Sequence, residues 1–187
     1  MTMSPYELKN KANACIENFA RRINPARVGL LVQLPSKHGV SVDYDSACDE
    51  ILCFAAYCIA RNSQNYIRKR RFFFFYELDN DGYRQYCDHI GDCLSRELRQ
   101  HSLVTAYAEY FNANLGSPSI AKMMSTSYAD ENPYARLVDS QFKVPLFATR
   151  LAEIMTGSTP IQAVDLLPFG RQIAEETAGV TKGVFGM

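Results

Sequence analysis

Residues 45–62, DSACDEILCFAAYCIARN, form the stretch that most constrains the fold. From Ile51 to Ala60 nearly every residue is apolar, so a helix formed here would be apolar on all sides. Asp45 and Ser46 precede this run and provide the short polar side chains that cap the start of a helix. A helix without a polar face must be surrounded by other elements. We therefore expect this helix at the centre of the protein.

The flanking sequence predicts further helices. Ser4, Pro5 and Glu7 match a capping box with proline at the first helical position, and an apolar stripe at helical spacing follows from Leu8 to Ile23. A second apolar stripe, with charged residues on its opposite face, runs from Tyr83 to Leu98. Shorter helical patterns fill the second half of the chain. These patterns predict a mainly α protein folded as a single-domain helical bundle.

One segment near the N-terminus has two interpretations. Residues 27–43 place β-branched runs on both sides of PSKHG, residues 35–39, which is typical of a β-hairpin. Asn24 and Pro25 can equally open a short helix over residues 26–34. We predict a small β-hairpin near residues 27–43, with a helix over 26–34 as the alternative.

Composition limits the classes of function and the cellular location. Twenty Lys and Arg balance twenty Asp and Glu, so no global field attracts nucleic acid or an anionic membrane. No apolar run approaches the ~20 residues that cross a bilayer, so no membrane span is predicted. The N-terminus, MTMSPYELKNK, lacks the apolar region of a secretion signal, and the six cysteines are interpreted as free thiols. We expect an intracellular, cytoplasmic protein in a reducing compartment.

The C-terminal segment GVTKGVFGM, residues 179–187, predicts a boundary between a helical domain and a tail. Its three glycines favour a tail over a continued helix, and Val184 and Phe185 are apolar residues that need a surface to cover them. We therefore predict a helical domain over residues 1–178 and a tail over 179–187. The tail is expected to dock on the body or on a neighbouring subunit, with Val184 and Phe185 as interface residues. The loop over residues 125–134 is also expected to contact neighbours.

Residues 68–76, RKRRFFFFY, set four cations against five consecutive aromatic rings. Cations neutralise phosphates and aromatic rings stack on unpaired bases, so this segment suggests a nucleic-acid site. The candidate residues for nucleic-acid binding are Arg61, Tyr66, Arg68, Lys69, Arg70 and Arg71. Adjacent rings cannot share one face of a strand or a helix, however, so most of the rings are expected to lie in the core. The favoured interpretation is a solvated basic turn that leads into a buried aromatic segment.

The acidic turn ELDNDGYRQYCD, residues 77–88, has oxygen ligands at part of the spacing of an EF-hand loop. The metal-ligand candidates are Glu77, Asp79, Asp81 and Asp88. The match is partial, because a glutamate replaces the usual first aspartate and Asp88 is a short substitute for a bidentate glutamate. The favoured interpretation is a turn whose acids cap the next helix, and no cofactor is predicted.

Catalytic motifs are missing from the sequence. It contains no G-x-S-x-G, no phosphate loop, no H-E-x-x-H and no G-x-G-x-x-G, and no catalytic residue is predicted. We therefore favour a non-catalytic structural or interaction protein over an enzyme. Its expected form is a helical subunit of a homo- or hetero-oligomeric assembly, with a protein partner or a second copy of itself. The alternative is a capsid-like nucleic-acid-binding protein that contacts RNA or DNA through residues 61–76.

Overall fold

The computed structural model of this chain describes residues 2–21, 40–72, 74–98, 104–113, 139, 141–157 and 162–186. Helices dominate this part of the chain, and two short antiparallel strand pairs accompany them. The α-helices are α1 (Pro5–Ala20), α2 (Tyr44–Ser63), α3 (Asn80–Glu97), α4 (Val104–Asn112), α5 (Val144–Ile154) and α6 (Leu167–Phe185), with a 3-10 helix at Ala163–Leu166. The strands are β1 (Val40–Val42), β2 (Arg68–Phe72), β3 (Phe75–Leu78) and β4 (Met155–Gly157). The prediction of a mainly α single-domain bundle with a small β element is confirmed.

Helix α2 lies at the centre of the bundle, as the apolar run in its sequence predicts. Every residue from Ile51 to Ala60 is buried, and α2 packs against each of the other five described α-helices. Its start is capped by Asp43, whose carboxylate accepts from the backbone N–H groups of Asp45 and Ser46. Phe54 stacks on Phe147 of α5 with ring centroids 4.3 Å apart. None of the described helices combines the length and apolar character needed to span a bilayer.

Helix α1 begins with the predicted capping box. The backbone N–H of Ser4 donates to the Glu7 carboxylate over 2.8 Å, and the Glu7 N–H donates to Ser4 Oγ over 3.3 Å. These two bonds satisfy backbone donors that have no partner inside the helix. The buried stripe of α1 consists of Leu8, Ala12, Cys15, Ile16 and Phe19. This stripe packs mainly on α3, whose own buried face includes Tyr86, Ile90 and Leu94.

The two strand pairs differ in how far apart their strands lie in the sequence. Strand β1 pairs antiparallel with β4, with Val40 opposite Gly157, and so joins segments that are far apart in sequence. Strands β2 and β3 form a hairpin between α2 and α3. Most of the hairpin predicted over residues 27–43 lies outside the described residues. Its described end, β1, is bonded to β4, and the described hairpin is the one over residues 68–78.

The C-terminal helix α6 includes residues 179–185, so most of the expected tail is helical, and the boundary between domain and tail stays a prediction. Residues 179–185 continue α6 without a break, and the helix ends at Gly186, whose φ of 80° is the left-handed conformation that glycine adopts most readily. Two glycines inside a helix cost about 1 kcal/mol each relative to alanine. Burial of Val180 and Thr181 in this part of the helix offsets that cost. The 125–134 loop, which was expected to contact neighbours, lies outside the described residues.

Candidate functional site

The hairpin of β2 and β3, residues 68–78 and here called the aromatic hairpin, is anchored at its base. Ile67 is buried, and its carbonyl accepts from the backbone N–H of Asp79 over 3.0 Å. Above this bond, Arg68 lies opposite Leu78 and Lys69 lies opposite Glu77. The Asp79 carboxylate accepts from Gly82 N–H over 3.3 Å and caps α3. The body therefore holds both ends of the hairpin.

A bulge at Arg71 changes the register near the tip of the aromatic hairpin. Arg70 pairs with Tyr76, whereas the next pair joins Phe72 to Phe75, so Arg71 has no opposite residue. Its guanidinium reaches across the hairpin to Glu77, with 3.2 Å between Nη1 and Oε2. Because successive residues of a strand point to opposite faces, Phe75 and Tyr76 lie on different faces of the hairpin.

The rings at the tip are exposed, and the prediction that most of them lie in the core is wrong. The exposed fractions are 65% for Phe72, 88% for Phe74, 73% for Phe75 and 55% for Tyr76, and Phe73 lies outside the described residues. No described helix buries these four rings, so they remain largely in water. Groups of exposed apolar side chains of this kind mark sites of contact with a partner.

The structure divides the predicted nucleic-acid residues into two groups. Arg68, Lys69, Arg70 and Arg71 lie together on β2, where all but the half-buried Lys69 are exposed. Arg61 and Tyr66 are half-buried below the hairpin. Arg61 donates to Gln64 Oε1 over 3.4 Å, and Tyr66 stacks on another ring of the body. Only the β2 cations therefore share the exposed surface with the aromatic tip.

Val184 and Phe185, the predicted interface residues, make contacts within the chain. Both are half-buried and pack against the hydrophobic core. The Phe185 ring stacks on Tyr66 at 5.0 Å between centroids, and Lys11 Nζ lies 4.8 Å from its centroid. Lys11 also donates to the Val184 carbonyl over 3.0 Å. A role for these two residues in contacts with another subunit stays a prediction.

The four metal-ligand candidates are engaged separately. Asp79 is the N-cap of α3, Glu77 faces Arg71, and Asp81 lies 3.8 Å from the guanidinium of Arg84. Asp88 is exposed two turns into α3. Within the described ranges, no three acidic, histidine or cysteine side chains form a group that fits a metal ion. The geometry here is that of the helix-capping turn.

A groove between α3 and α4, here called the α3–α4 groove, is a feature that the sequence patterns did not identify. It has a volume of about 370 Å³, and its lining includes the aromatic residues Tyr83, Tyr107 and Phe111. Arg84 and Asp88 contribute opposite charges to the lining. The sequence does contain a signal that could have indicated the groove. Tyr83 and Cys87 on α3, and Tyr107 and Phe111 on α4, are spaced i,i+4, and this spacing places each pair on one face of its helix.

The α3–α4 groove offers contact surface rather than a reactive group. Cys87 is the thiol in its lining, and burial raises the pKa of Cys87 to about 11, so the thiol is protonated at neutral pH. Tyr107 and Phe111 meet edge to face, with centroids 5.3 Å apart. An aromatic wall with charged residues beside it is typical of sites that bind another ring or a side chain.

A buried polar cluster joins α2, α4 and α5. Tyr110 Oη donates to Glu50, and Arg150 lies 3.8 Å from Glu50 and pairs with Glu109. Burial raises the pKa of Glu50, although the Tyr110 hydrogen bond and the Arg150 charge act in the opposite direction. Lys143 caps the end of α4 by donating to the carbonyls of Tyr110 and Phe111 and to that of Ala113, the residue after the helix. These contacts connect three helices, and Phe111, whose carbonyl accepts from Lys143, is the residue they share with the groove lining.

Comparison with protein-family models finds no match to this chain, and neither the curated proteins nor the solved structures give a significant one.

Proposed function

We propose that this protein functions by contact, as a self-assembling structural subunit, and that the aromatic hairpin is its main contact element. The observation that carries the proposal is the exposure of Phe72, Phe74, Phe75 and Tyr76 at the end of an anchored hairpin. Full burial of one such side chain is worth about 1.5–3 kcal/mol, so burial of three or four rings offsets a large part of the free-energy cost of association. Aromatic residues and arginine are also the residues most enriched at the energetic centres of protein interfaces.

The arrangement of the hairpin supports insertion into another protein surface. Its rings lie on both faces of the tip, which suits a tip that enters a groove and is covered from two sides. Its cations lie on β2 closer to the base, where they would form a polar rim around the buried tip. Among the described strands, β2 and β3 pair only with each other, so each has an outer edge that a partner could cover.

Nucleic-acid binding is the second candidate, and the specific observation in its favour is the group of cations beside exposed rings. Arg68 and Arg70 are exposed next to Tyr76, a combination that matches sites for single-stranded nucleic acid. Two features favour the protein contact. Glu77 already pairs with Arg71, and a single strand would stack along one face of the hairpin and leave the rings of the other face in water.

A cytoplasmic, reducing location is part of the proposal. All six cysteines are free thiols, and four of them, Cys15, Cys53, Cys58 and Cys93, are buried. Buried free thiols suit a compartment in which disulfides are kept reduced.

The test compares the native chain with a double variant of the tip, Phe74→Ser with Phe75→Ser. Both rings are exposed, so the variant is expected to fold normally, with an unchanged circular dichroism spectrum and melting temperature. Sedimentation over a concentration series should give a mass above one chain for the native protein. The double variant should associate at least about tenfold more weakly, because the burial of two rings is lost. Tyr6→Ser is the matched control, since Tyr6 is 74% exposed and lies on α1, not on the hairpin.

The same preparations separate the alternatives. A native chain that remains monomeric at all concentrations would contradict the proposal. If that monomer binds a labelled single-stranded oligonucleotide, and replacing Arg68, Lys69, Arg70 and Arg71 by alanine weakens binding and flattens its salt dependence, the nucleic-acid candidate replaces it. Binding of the monomer to anionic lipid vesicles through the same rings would also contradict self-assembly.

A further inference from the structure

We infer that the partner surface of the aromatic hairpin is the α3–α4 groove of a second copy of this chain. This inference rests on the proposed self-assembly and names the surface that receives the hairpin. The contact joins two different surfaces, because the tip of one copy meets the groove of another. Such an interface is heterologous, in contrast to one in which two identical patches face each other.

The first argument is the apolar match between tip and groove. The groove is lined by Tyr83, Tyr107 and Phe111, and its volume of about 370 Å³ lies at the lower end of the range of about 300–1,000 Å³ for ligand pockets. This volume suits one or two aromatic side chains. Phe74, at 88% exposure, is the most prominent ring of the tip and the first to enter. Rings that meet edge to face add to the free energy of burial.

The second argument is charge complementarity. Asp88 is exposed in the groove lining, and within the described part of the chain no cation forms an ion pair with it. The neighbouring Arg84 is directed to Asp81, with 3.8 Å between their charged atoms. The aromatic hairpin has four cations on β2 and one carboxylate on β3, so it carries a net positive charge. A cationic hairpin beside the carboxylate of Asp88 is electrostatically favourable and sets the orientation of docking.

The third argument concerns which copy provides the hairpin. Phe74 does not lie in the groove of its own chain, because it is almost fully exposed, and the groove lining contains none of the described residues of the hairpin. The Asp79-to-Ile67 hydrogen bond and the burial of Ile67 hold the base in its present direction. Among the described residues, none of the hairpin occupies the groove, which is the condition for contact between two copies.

The decisive experiment mixes two variants that are each defective on one side of the contact. The tip variant is Phe74→Ser with Phe75→Ser. The groove variant is Ala108→Arg, which adds a long cationic side chain to the groove lining at an exposed helical position and so fills the groove and repels the hairpin. Each variant alone should remain monomeric in analytical ultracentrifugation. Their mixture should form a complex of one chain of each, because the intact hairpin of the groove variant can enter the intact groove of the tip variant.

A pair of charge reversals on α3 tests the electrostatic part. Asp88→Lys, in the groove lining, should weaken self-association about tenfold at low salt and less at high salt. Asp92→Lys is the matched control, because Asp92 is exposed one turn further along the same helix and is not part of the lining. This control should change the affinity less than about twofold. Equal effects of the two reversals would overturn the charge argument and with it the inference.

The outcomes distinguish the inference from the proposed function. If the tip variant is monomeric while Ala108→Arg and Asp88→Lys assemble normally, the hairpin is a contact element and the groove is not its partner. If both variants are monomeric but fail to associate with each other, tip-to-groove contact is overturned, and a contact between like surfaces replaces it. A native chain that never associates overturns both.

Discussion

Phe185 stacks on Tyr66 with 5.0 Å between ring centroids and 20° between ring planes. Phe185 lies in the last turn of α6, and Tyr66 lies in the turn that leads into β2. Because of this contact, the end of the chain supports the base of the aromatic hairpin. Lys11 Nζ of α1 lies 4.8 Å from the centroid of the Phe185 ring, so a third element takes part in the contact.

Replacement of Phe185 by alanine is expected to destabilise the protein. The change removes the stacking on Tyr66, an edge contact with Tyr86 at 5.9 Å between centroids, and the interaction with Lys11. Aromatic pairs contribute about 0.5–1.5 kcal/mol each beyond their buried area, so we expect a loss of about 1–3 kcal/mol in the free energy of unfolding. Urea unfolding measures this loss of stability. Tyr6→Ala, at an exposed ring, should cost less than about 0.5 kcal/mol, and an equal loss in both variants would show that the stack contributes nothing.

Two glycines of α6 should respond in opposite directions to alanine. A Cβ at Gly170 would lie 2.7 Å from Val144 Cγ1 and 3.1 Å from Phe147 Cδ1, so α5 and α6 would have to move apart. We expect Gly170→Ala to cost about 1–3 kcal/mol, as overpacking of a core does. At Gly179 a Cβ meets nothing within 4 Å, so Gly179→Ala should stabilise α6 by about 0.5–1 kcal/mol.

Thermal or urea unfolding of the two alanine variants, measured side by side, provides the comparison. The two substitutions are chemically identical and lie on the same helix, so differences in helix propensity cancel. Destabilisation of similar size at both positions would show that the close approach of α5 and α6 does not constrain Gly170.

Glu50 should make the free energy of unfolding depend on pH in a defined direction. Burial raises the pKa of Glu50 in the folded protein above its ordinary value of 4.5. As the pH rises from 4.5 to the raised pKa, the Glu50 carboxyl loses its proton in the unfolded chain before it does so in the folded protein. The free energy of unfolding therefore decreases over that interval. Glu50→Gln removes this titration and keeps an oxygen that can accept from Tyr110. The variant should therefore gain stability relative to the native chain as the pH rises above 4.5.

Glu7 provides a control of opposite sign for this experiment. Hydrogen bonds from the Ser4 backbone and side chain lower the pKa of Glu7, so its stabilising effect is present above 4.5 and is lost as the pH falls through the lowered value. Glu7→Gln should therefore lose stability relative to the native chain as the pH rises. Urea unfolding of the three proteins from about pH 3 to 8 measures the differences, with the Glu7 effect at the acidic end of this range. Parallel profiles for the native chain and Glu50→Gln would contradict the assigned pKa shift.

Local sequence was sufficient for the helices whose signals are complete within one segment. Ser4 and Glu7 form their capping box as expected, and the stripe that ends at Leu98 is the buried face of α3. The apolar run of α2, which leaves the helix without a polar face, predicted a central helix, and α2 does lie at the centre of the bundle. These predictions succeeded because capping and apolar periodicity act over one or a few helical turns.

Two errors have a common origin in long-range packing. Gly179 and Gly183 favoured the end of a helix, but α6 continues through both because Val180 and Thr181 are buried against the bundle. The rings near Phe74 favoured a core segment, but the hairpin carries them away from the helices. In both cases the decisive quantity is what lies opposite the residue in space, which composition and spacing do not specify.

The sequence by itself determined a helical bundle organised around residues 51–60, because an element without a polar face can be accommodated only inside other elements. It also placed four cations beside a row of aromatic rings. Only the tertiary structure decided that these rings lie in water and that a groove with an acidic residue in its lining lies between α3 and α4. Exposure and concavity depend on how distant segments pack, whereas helix formation depends on neighbours within a few residues along the chain.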